Sequence, residues 1–201
     1  SHRFGRINSG FEQLFGLDDS NIRFGLEYAI NDRLTMAFGR SSFEKTFDVY
    51  GKYRLLQQKT GQNPFPFGLT VFGSATQKTI KDYEPDDKPS FSDRLTYTGQ
   101  LLIARKFSPS LSVQLAPTFV HFNTVPESVD PNDIISIGIG TRVKISKRVS
   151  LNGEYFYNVN PFESVNVKNS LAFGVDIETG GHIFQLILTN SVSMIEKGFL
   201  A

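Results

Sequence analysis

Ten segments of the chain alternate between apolar and polar side chains, and this period of two constrains the fold more than any other feature. Successive side chains of a β-strand point to opposite faces of a sheet, so each segment predicts a strand with one apolar and one polar face. The predicted strands are Asn21–Ile30, Leu34–Arg40, Thr46–Leu56, Phe67–Gln77, Arg94–Arg105, Leu111–Phe122, Ile134–Ile145, Val149–Asn158, Asn169–Glu178 and His182–Asn190. No long segment has the helical period, so the sequence predicts an all-β protein.

The connections between these strands are sorted by length. In an up-and-down sheet every second connection lies at the same end. Because tight turns and long loops alternate along this chain, the tight turns lie at one rim and the long loops at the other. Only Gln57–Pro66 is longer than its neighbours at the short-turn rim. The tight turns are Asn31–Arg33, Phe107–Ser110, Ser146–Arg148 and Thr179–Gly181, and the long loops are Ile7–Ser20, Ser41–Lys45, Lys78–Asp93, Asn123–Asp133 and Val159–Lys168. This sorting is typical of outer-membrane barrels, which have short periplasmic turns and long extracellular loops.

Strand length supports the same interpretation. A tilted strand needs about 9–11 residues to cross a bilayer, whereas strands of soluble sheets have about 5–6. The 201 residues suit one domain, and no run of apolar residues is long enough for a helical membrane span. We therefore predict a single domain over residues 1–201, an antiparallel up-and-down transmembrane β-barrel in a bacterial outer membrane.

The two ends predict a larger barrel than the ten strands alone. Ser1–Gly5 is typical of the end of a strand, and Ser191–Ala201 is typical of a loop. We expect the sequence to be trimmed at both ends and the complete chain to have twelve strands. Since the chain has no Trp, we expect an interfacial aromatic belt of Tyr and Phe, formed by Tyr28, Phe47, Tyr53, Tyr97, Tyr155 and Tyr157.

Eight charged residues fall on the polar faces of the predicted strands. These candidate lumen-lining residues are Arg23, Glu27, Asp48, Lys52, Arg54, Arg142, Glu154 and Asp176. Inside a barrel they either line a water-filled path for small solutes or pair across a narrow lumen and fill it. Four are basic and four are acidic, which favours pairing and a largely closed lumen. If they pair, neutralising Glu154 is expected to destabilise the barrel by leaving a cation unpaired.

Composition and charge narrow the classes of function. The net charge of +1 provides no basic surface for nucleic acid, and the absence of cysteine excludes a disulfide, a thiolate zinc site and a Cys nucleophile. A hydroxyl nucleophile needs a histidine base within hydrogen-bond reach, but His121 and His182 are predicted at opposite rims. A rim site of His2 and His121 with Ser41, Ser42 or Asp130 is the less favoured hypothesis. We therefore predict no catalytic residue, no cofactor and no metal site.

Three short motifs favour structural roles over ligand binding. Ser9 and Glu12 have capping-box spacing and predict either a short helix or an irregular loop. The acidic run of Asp82, Glu84, Asp86 and Asp87 lacks the glycine and terminal glutamate of a calcium loop, so a solvated loop is favoured. Gly138 and Gly140 lie within a strand without a following helix, which favours relief of crowding on the inner face over phosphate binding.

Several stretches resemble a known family, namely Ser1–Phe11, Phe15–Asp18, Gly39–Thr46, Gly181–Leu186 and Leu188–Ser191. On these residues the chain is similar to an uncharacterised outer-membrane β-barrel family of Bacteroidetes-type Gram-negative bacteria, a domain of unknown function. The resemblance extends over nearly the whole chain. It implies an outer-membrane barrel, with a signal peptide and extra strands in related proteins, and it supplies no catalytic residue.

The sequence thus predicts an outer-membrane barrel with a structural, partner-binding or porin-like role in passive passage of small solutes. The expected partners are membrane lipid or lipopolysaccharide and other envelope proteins, with no nucleic acid. Two alternatives stay open at this stage. One is a soluble lipocalin-like barrel that binds an apolar ligand between inward apolar faces, and the other is a lipid-modifying outer-membrane enzyme.

Overall fold

The fold is an eleven-stranded antiparallel meander, seen in a computed structural model that describes residues 1–5, 9–80 and 89–200. All ten predicted strands are present, with both ends of each within one residue of the prediction. Ser1–Gly5 contributes a short additional strand. The strands are β1 (His2–Phe4), β2 (Ser20–Ala29), β3 (Leu34–Ser41), β4 (Phe47–Leu56), β5 (Gly68–Gln77), β6 (Leu95–Lys106), β7 (Leu111–Phe122), β8 (Asp133–Lys144), β9 (Val149–Asn158), β10 (Ser170–Glu178) and β11 (Ile183–Thr189).

Each strand pairs with the next one along the chain, as in a barrel, but the sheet is not closed. Within the described residues β11 pairs with β10 alone, and β1 covers β2 only over Ser20–Ile22. Ser1 continues the pairing by one residue, because it exchanges two backbone hydrogen bonds of 3.0 Å with Arg23. The edge of β2 from Phe24 to Ala29 is without a strand partner among the residues described. The expectation of twelve strands in the complete chain stays a prediction.

One kind of turn recurs at the short-turn rim. In three hairpins the second residue after the first strand uses a side-chain oxygen to accept the backbone N–H groups two and three residues later, at 2.8–3.2 Å. These residues are Asn31, Ser108 and Ser146. Such side chains favour turns because they satisfy local backbone donors that the sheet ladder leaves free.

Short helices are confined to the other end of the meander. Among the described residues, 3₁₀ helices lie at Phe11–Gly16, Phe43–Lys45 and Ser92–Arg94, and α1 covers Glu196–Leu200. The predicted capping box is wrong, because Gly10 occupies the N-cap with φ of 82° and no side chain caps the first helix. No helix in the described part of the chain is long and apolar enough to cross a membrane.

The two faces of the sheet point as the alternation predicts for a membrane barrel. The apolar residues Phe24, Leu26, Ile135 and Ile139 are exposed on the outer face, while Thr76, Thr96, Thr118 and Ser136 are buried on the inner face. All six predicted belt aromatics are also exposed on the outer face. Such a broad apolar exterior needs an apolar solvent, and the soluble alternative with inward apolar faces is wrong for this arrangement.

A small apolar core lies inside the meander near the long loops. Val120 and Ile134 are fully buried, and Phe162 from the β9–β10 loop packs on them together with Phe122 and Phe156. This core fixes the loop over the inner face of β7 and β8. Phe162 of the β9–β10 loop thus enters the interior, whereas Phe11 and Phe91 of other long loops are exposed.

Gly138 makes room for one ring of this core. A Cβ atom at Gly138 would lie within 2.7 Å of three ring atoms of Phe156, whereas at Gly140 the nearest atom is Glu154 Cγ at 3.9 Å. The prediction that glycine relieves crowding on the inner face therefore fits Gly138 directly, while Gly140 has no close neighbour to make room for. The two glycines form a matched pair on one strand.

We expect Gly138→Ala to lower the free energy of unfolding by about 1–3 kcal/mol, because the added methyl group forces the Phe156 ring out of place. Gly140→Ala is expected to be nearly neutral. Urea unfolding of both variants in lipid bilayers, followed by circular dichroism, measures the difference. Equal losses in the two variants would show that Phe156 does not need the space above Gly138.

Candidate functional site on the inner face

The eight predicted charged residues all lie on the polar, inner face of their strands. Six of them form three ion pairs, joining Arg23 to Asp48, Lys52 to Glu27 at 3.2 Å, and Arg142 to Asp176 at 3.6 Å. Arg54 instead donates to the backbone carbonyl of Asp32. Glu154 has no ion pair or side-chain hydrogen bond within the described residues, so the expectation that it pairs with a cation is wrong.

Arg23 and Asp48 form the most buried of these pairs. The Asp48 side chain is 3% exposed and that of Arg23 is 17% exposed. Arg23 lies on β2 and Asp48 on β4, so the pair crosses β3 above Gly39. A Cβ atom at Gly39 would collide with both charged groups, and the glycine is therefore what lets them meet. The guanidinium makes two contacts, with Nε 3.2 Å from Oδ1 and Nη2 on Oδ2.

A second network lies beside this pair, one step nearer the short turns. The Tyr50 hydroxyl donates to the Glu27 carboxylate, and Lys52 Nζ reaches the same carboxylate at 3.2 Å while lying 5.0 Å from the Tyr50 ring centroid. Tyr50 itself packs against the buried ring of Phe72. The period-two pattern placed Tyr50 on the inner face, but its contact with Glu27 depends on the register of three strands.

The segment after β11 folds over the inner face and is the main feature that the sequence did not indicate. Ser193, Ile195 and Lys197 are buried, although the composition of this stretch predicted a loop. Lys197 Nζ lies 3.0 Å from Glu44, which also binds Lys78 at 3.5 Å. Burial raises the pKa of the neighbouring Glu196 carboxyl above its ordinary value. The segment therefore covers the inner face at the long-loop end.

The other half of the inner face, near the short turns, is an open polar cavity of about 360 Å³. Arg142, Glu154 and Asp176 line it with Gln114 and Gln185. Arg142 is 3.6 Å from both Asp176 and Glu178, and Gln185 Nε2 donates to Asp176 at 2.9 Å. The charges here are only loosely paired. The inner face is thus filled at the long-loop end, whereas this cavity exposes Arg142 and Glu154 to water.

Asp130 connects two of the long loops. Its Oδ1 accepts the backbone N–H groups of Glu163 and Ser164 at 2.8 and 2.9 Å, and its Oδ2 accepts the Ser164 hydroxyl at 2.5 Å and the N–H of Glu127 at 3.0 Å. Burial alone would raise the pKa of Asp130, but these hydrogen bonds lower it below its ordinary value. The β7–β8 and β9–β10 loops are consequently held together by one carboxylate.

Asparagine side chains complete the strand ends beneath these loops. Asn160 Oδ1 accepts the N–H of Ile135 at 2.8 Å while its Nδ2 donates to the carbonyl of Asp133 at 2.7 Å. Asn190 repeats the arrangement on Leu171 and Asn169, at 2.9 and 2.8 Å. Each carboxamide replaces one rung of an antiparallel ladder and so extends the pairing of β8 with β9 and of β10 with β11 into the loops.

The lowered pKa of Asp130 predicts that the loop bridge weakens in acid. A carboxylate whose folded pKa is depressed stabilises the fold above its unfolded pKa, and this contribution is lost as the pH falls through the folded pKa, below about 4. We expect a single Trp in place of Phe122, which packs on Phe162, to shift its emission to longer wavelength as the pH is lowered from 7 to values below the ordinary pKa of an aspartate. With Asp130→Asn the emission should be shifted at every pH. A shift with the same pH dependence in the Asn variant would assign it to another carboxyl.

The histidines do not form a catalytic group with the predicted hydroxyls. His121 lies at the long-loop end of β7 and His182 in the β10–β11 turn, at opposite rims as predicted. His121 Nδ1 is 2.6 Å from Asp133 Oδ1, and its ring stacks on Tyr97. In the part of the chain that the structure describes, no side-chain hydrogen bond joins a histidine to Ser41, Ser42 or Asp130. No cluster of three possible metal ligands occurs there either, and the acidic run at 82–87 lies outside it.

Comparison with known families gives one result. A family model described as "Membrane bound beta barrel domain (DUF5777)" matches residues 1–201, the whole chain. Comparisons with curated proteins and with solved structures gave no match. The family match agrees with the outward apolar face and with the resemblance found in the sequence.

Proposed function

Because the chain belongs to the family of membrane-bound β-barrel domains, we propose that it is a structural barrel of a Gram-negative outer membrane whose lumen is closed at the long-loop end. In this proposal the long loops face the cell exterior and the short turns face the periplasm. The barrel has no catalytic role. It stays in contact with membrane lipid or lipopolysaccharide, and the β7–β8 and β9–β10 loops, which Asp130 joins, present a surface to other envelope proteins.

The change in burial along the inner face supports a closed lumen more than any other observation. Inner-face residues near the long loops, such as Thr46, Thr76 and Ser136, are at most 2% exposed. Nearer the short turns, Arg142 on β8 and Glu154 on β9 are exposed, although Ser150 and Asp176 there remain buried. Loops and the segment after β11 therefore occupy the space that an open pore would need for water.

A second candidate function is passage or binding of small polar solutes. The observation that favours it is the open cavity near the short turns, where Glu154 carries a charge that no cation neutralises. A charge of this kind biases which ions enter a water-filled path. The two candidate functions differ in whether the lumen is open at its long-loop end.

Planar-bilayer recordings test the closed lumen. We expect the native barrel to show no steady conductance. The double variant Glu44→Gln with Phe162→Ala should conduct, because it removes the anion that holds Lys197 and Lys78 and the ring that seats the β9–β10 loop. Phe65→Ala, in the long turn at the opposite rim, is the matched control and should stay closed.

Two results would contradict the proposal. One is a stable conductance of the native barrel whose reversal potential shifts with Glu154→Gln, which would favour solute passage. The other is a folded double variant that remains closed, since the loops and terminal segment would then not be the obstruction. Resistance to heat unfolding on gels shows whether each variant has folded.

A further inference from the structure

The charges of this chain are divided unequally between its two rims, although the net charge is only +1. We define the basic rim as the five short-turn connections with the strand residues that hydrogen-bond or stack onto them. It holds eight Lys and Arg residues and only two carboxylates, Asp32 and Glu178. The inner-face charges nearly cancel, so the long-loop end carries a net negative charge.

Five of these cations come from two neighbouring hairpins and form one cluster. They are Arg105, Lys106, Lys144, Lys147 and Arg148, and all five are exposed. The hairpins are joined because the N–H of Lys144 donates to the Ser110 carbonyl at 2.7 Å. Lys59, Arg33 and Arg54 continue the same rim across the preceding turns.

These eight cations have no ion-pair partner among the described residues. Glu178 is the nearest acidic residue along the rim, since its N–H donates to the Arg148 carbonyl, but its side chain binds Arg142. At the long-loop end, by contrast, Lys78 and Lys197 share Glu44. Acidic residues outnumber basic residues at the long-loop end, whereas the basic rim has eight cations and only two carboxylates.

The position of Arg105 identifies where the counter-charge lies. Arg105 falls on the outer, lipid-facing side of β6 by alternation with Tyr97 and Leu101, and its guanidinium stacks 4.9 Å from the Phe107 ring centroid. Phe107 is exposed at the end of the apolar outer face. An arginine held there by an aromatic ring sits at the level of lipid headgroups.

We propose that the basic rim binds the headgroups of anionic phospholipids in the leaflet that surrounds the short turns. This inference rests on the membrane location of the barrel and is independent of whether its lumen conducts. Phosphate groups of this leaflet supply the counter-charges that the protein lacks at this rim. Each Lys or Arg near a membrane surface strengthens binding of anionic lipid by about fivefold.

The absence of tryptophan makes the proposal directly testable. A single Trp in place of Phe107 reports on the lipids at the basic rim, and one in place of Tyr157, exposed at the other end of β9, reports on the long-loop end. The full chain is reconstituted in vesicles of phosphatidylcholine and phosphatidylglycerol, with one or the other lipid brominated. Quenching by each lipid then gives the relative association constant at each end.

We expect the Phe107→Trp reporter to prefer phosphatidylglycerol by about fivefold or more, and the Tyr157→Trp reporter to show no preference. Replacing the five clustered cations by glutamine should bring the preference at the basic rim to about one. About 1 M salt should do the same, because it shortens the Debye length to about 3 Å. If the variant with all five glutamine substitutions does not fold, the single variant Arg105→Gln and the salt titration test the proposal instead.

Three outcomes would overturn the proposal. They are no preference for phosphatidylglycerol at Phe107→Trp, an equal preference at Tyr157→Trp, and a preference that survives both neutralisation and salt. Binding of a soluble anionic polymer to the rim without any lipid preference would assign the cations to a different partner. The planar-bilayer recordings are unaffected by any of these results.

Discussion

Replacing Asp48 by asparagine is expected to lower the free energy of unfolding by about 3 kcal/mol. The substitution leaves the Arg23 guanidinium on the inner face without its carboxylate, and removal of one partner of a buried ion pair costs about 3–5 kcal/mol. The low end of this range applies because Arg23 is 17% exposed and some water reaches it. Equilibrium unfolding in urea from lipid bilayers measures the loss.

A double-mutant cycle separates pairing from simple loss of a charge. Arg23→Gln combined with Asp48→Asn should recover much of the stability, with a coupling energy of about 0.5–3 kcal/mol. Glu154→Gln is the matched control. Its carboxylate also lies on the inner face but has no partner in the described structure, so its neutralisation should change stability little. Additive effects of the two substitutions at Arg23 and Asp48 would show that the ion pair adds no stability.

The strands and their faces were predictable because both depend on local sequence. Alternation in Leu111–Phe122 or Val149–Asn158 already specifies which side chains share a face, and the lengths of the connections specify which strand ends meet. Both strands have the predicted bounds. The same information placed all eight charged candidates on one face.

The ion pairs were not predictable because they depend on register across three strands. Arg23 is opposite Ser41, and Asp48 is opposite Gly39, so the two charges meet diagonally over β3. Only the register shows that Gly39 leaves the space for them. A count of signs suggested that the charges pair, but it could not show that Glu154 is the one left out.

The sequence also did not predict that the segment after β11 covers the inner face at the long-loop end. Ser193, Ile195 and Lys197 are buried, and Lys197 contacts Glu44, which is distant in the chain. Asp130 is a similar case, since an aspartate in a polar loop is ordinarily solvated. Its role depends on the β9–β10 loop coming within hydrogen-bond distance.

Replacing Ile137 by arginine is expected to lower the stability of the barrel in a bilayer by about 2–4 kcal/mol. Ile137 is 46% exposed on the outer face near the middle of β8, and an arginine at the midplane of a lipid-facing strand has this cost. The neighbouring Ser136 is not a suitable control, although the period-two pattern alone favours it. Its side chain is fully buried and donates to Asn158 Oδ1 at 2.8 Å, so an arginine there would disturb packing as well.

Gln114→Arg is the better comparison for Ile137→Arg. Gln114 lies on the inner face of β7 and lines the open polar cavity with Glu154, whose unpaired carboxylate can receive the new cation. We expect this variant to lose less than about 1 kcal/mol, as most substitutions in solvated sites do. Both variants are refolded into bilayers of two thicknesses, and the free energy of unfolding is measured in urea. A larger loss for Ile137→Arg than for Gln114→Arg shows that the outer face contacts lipid. Equal losses at Ile137 and Gln114 would mean that the outer face of β8 does not contact lipid.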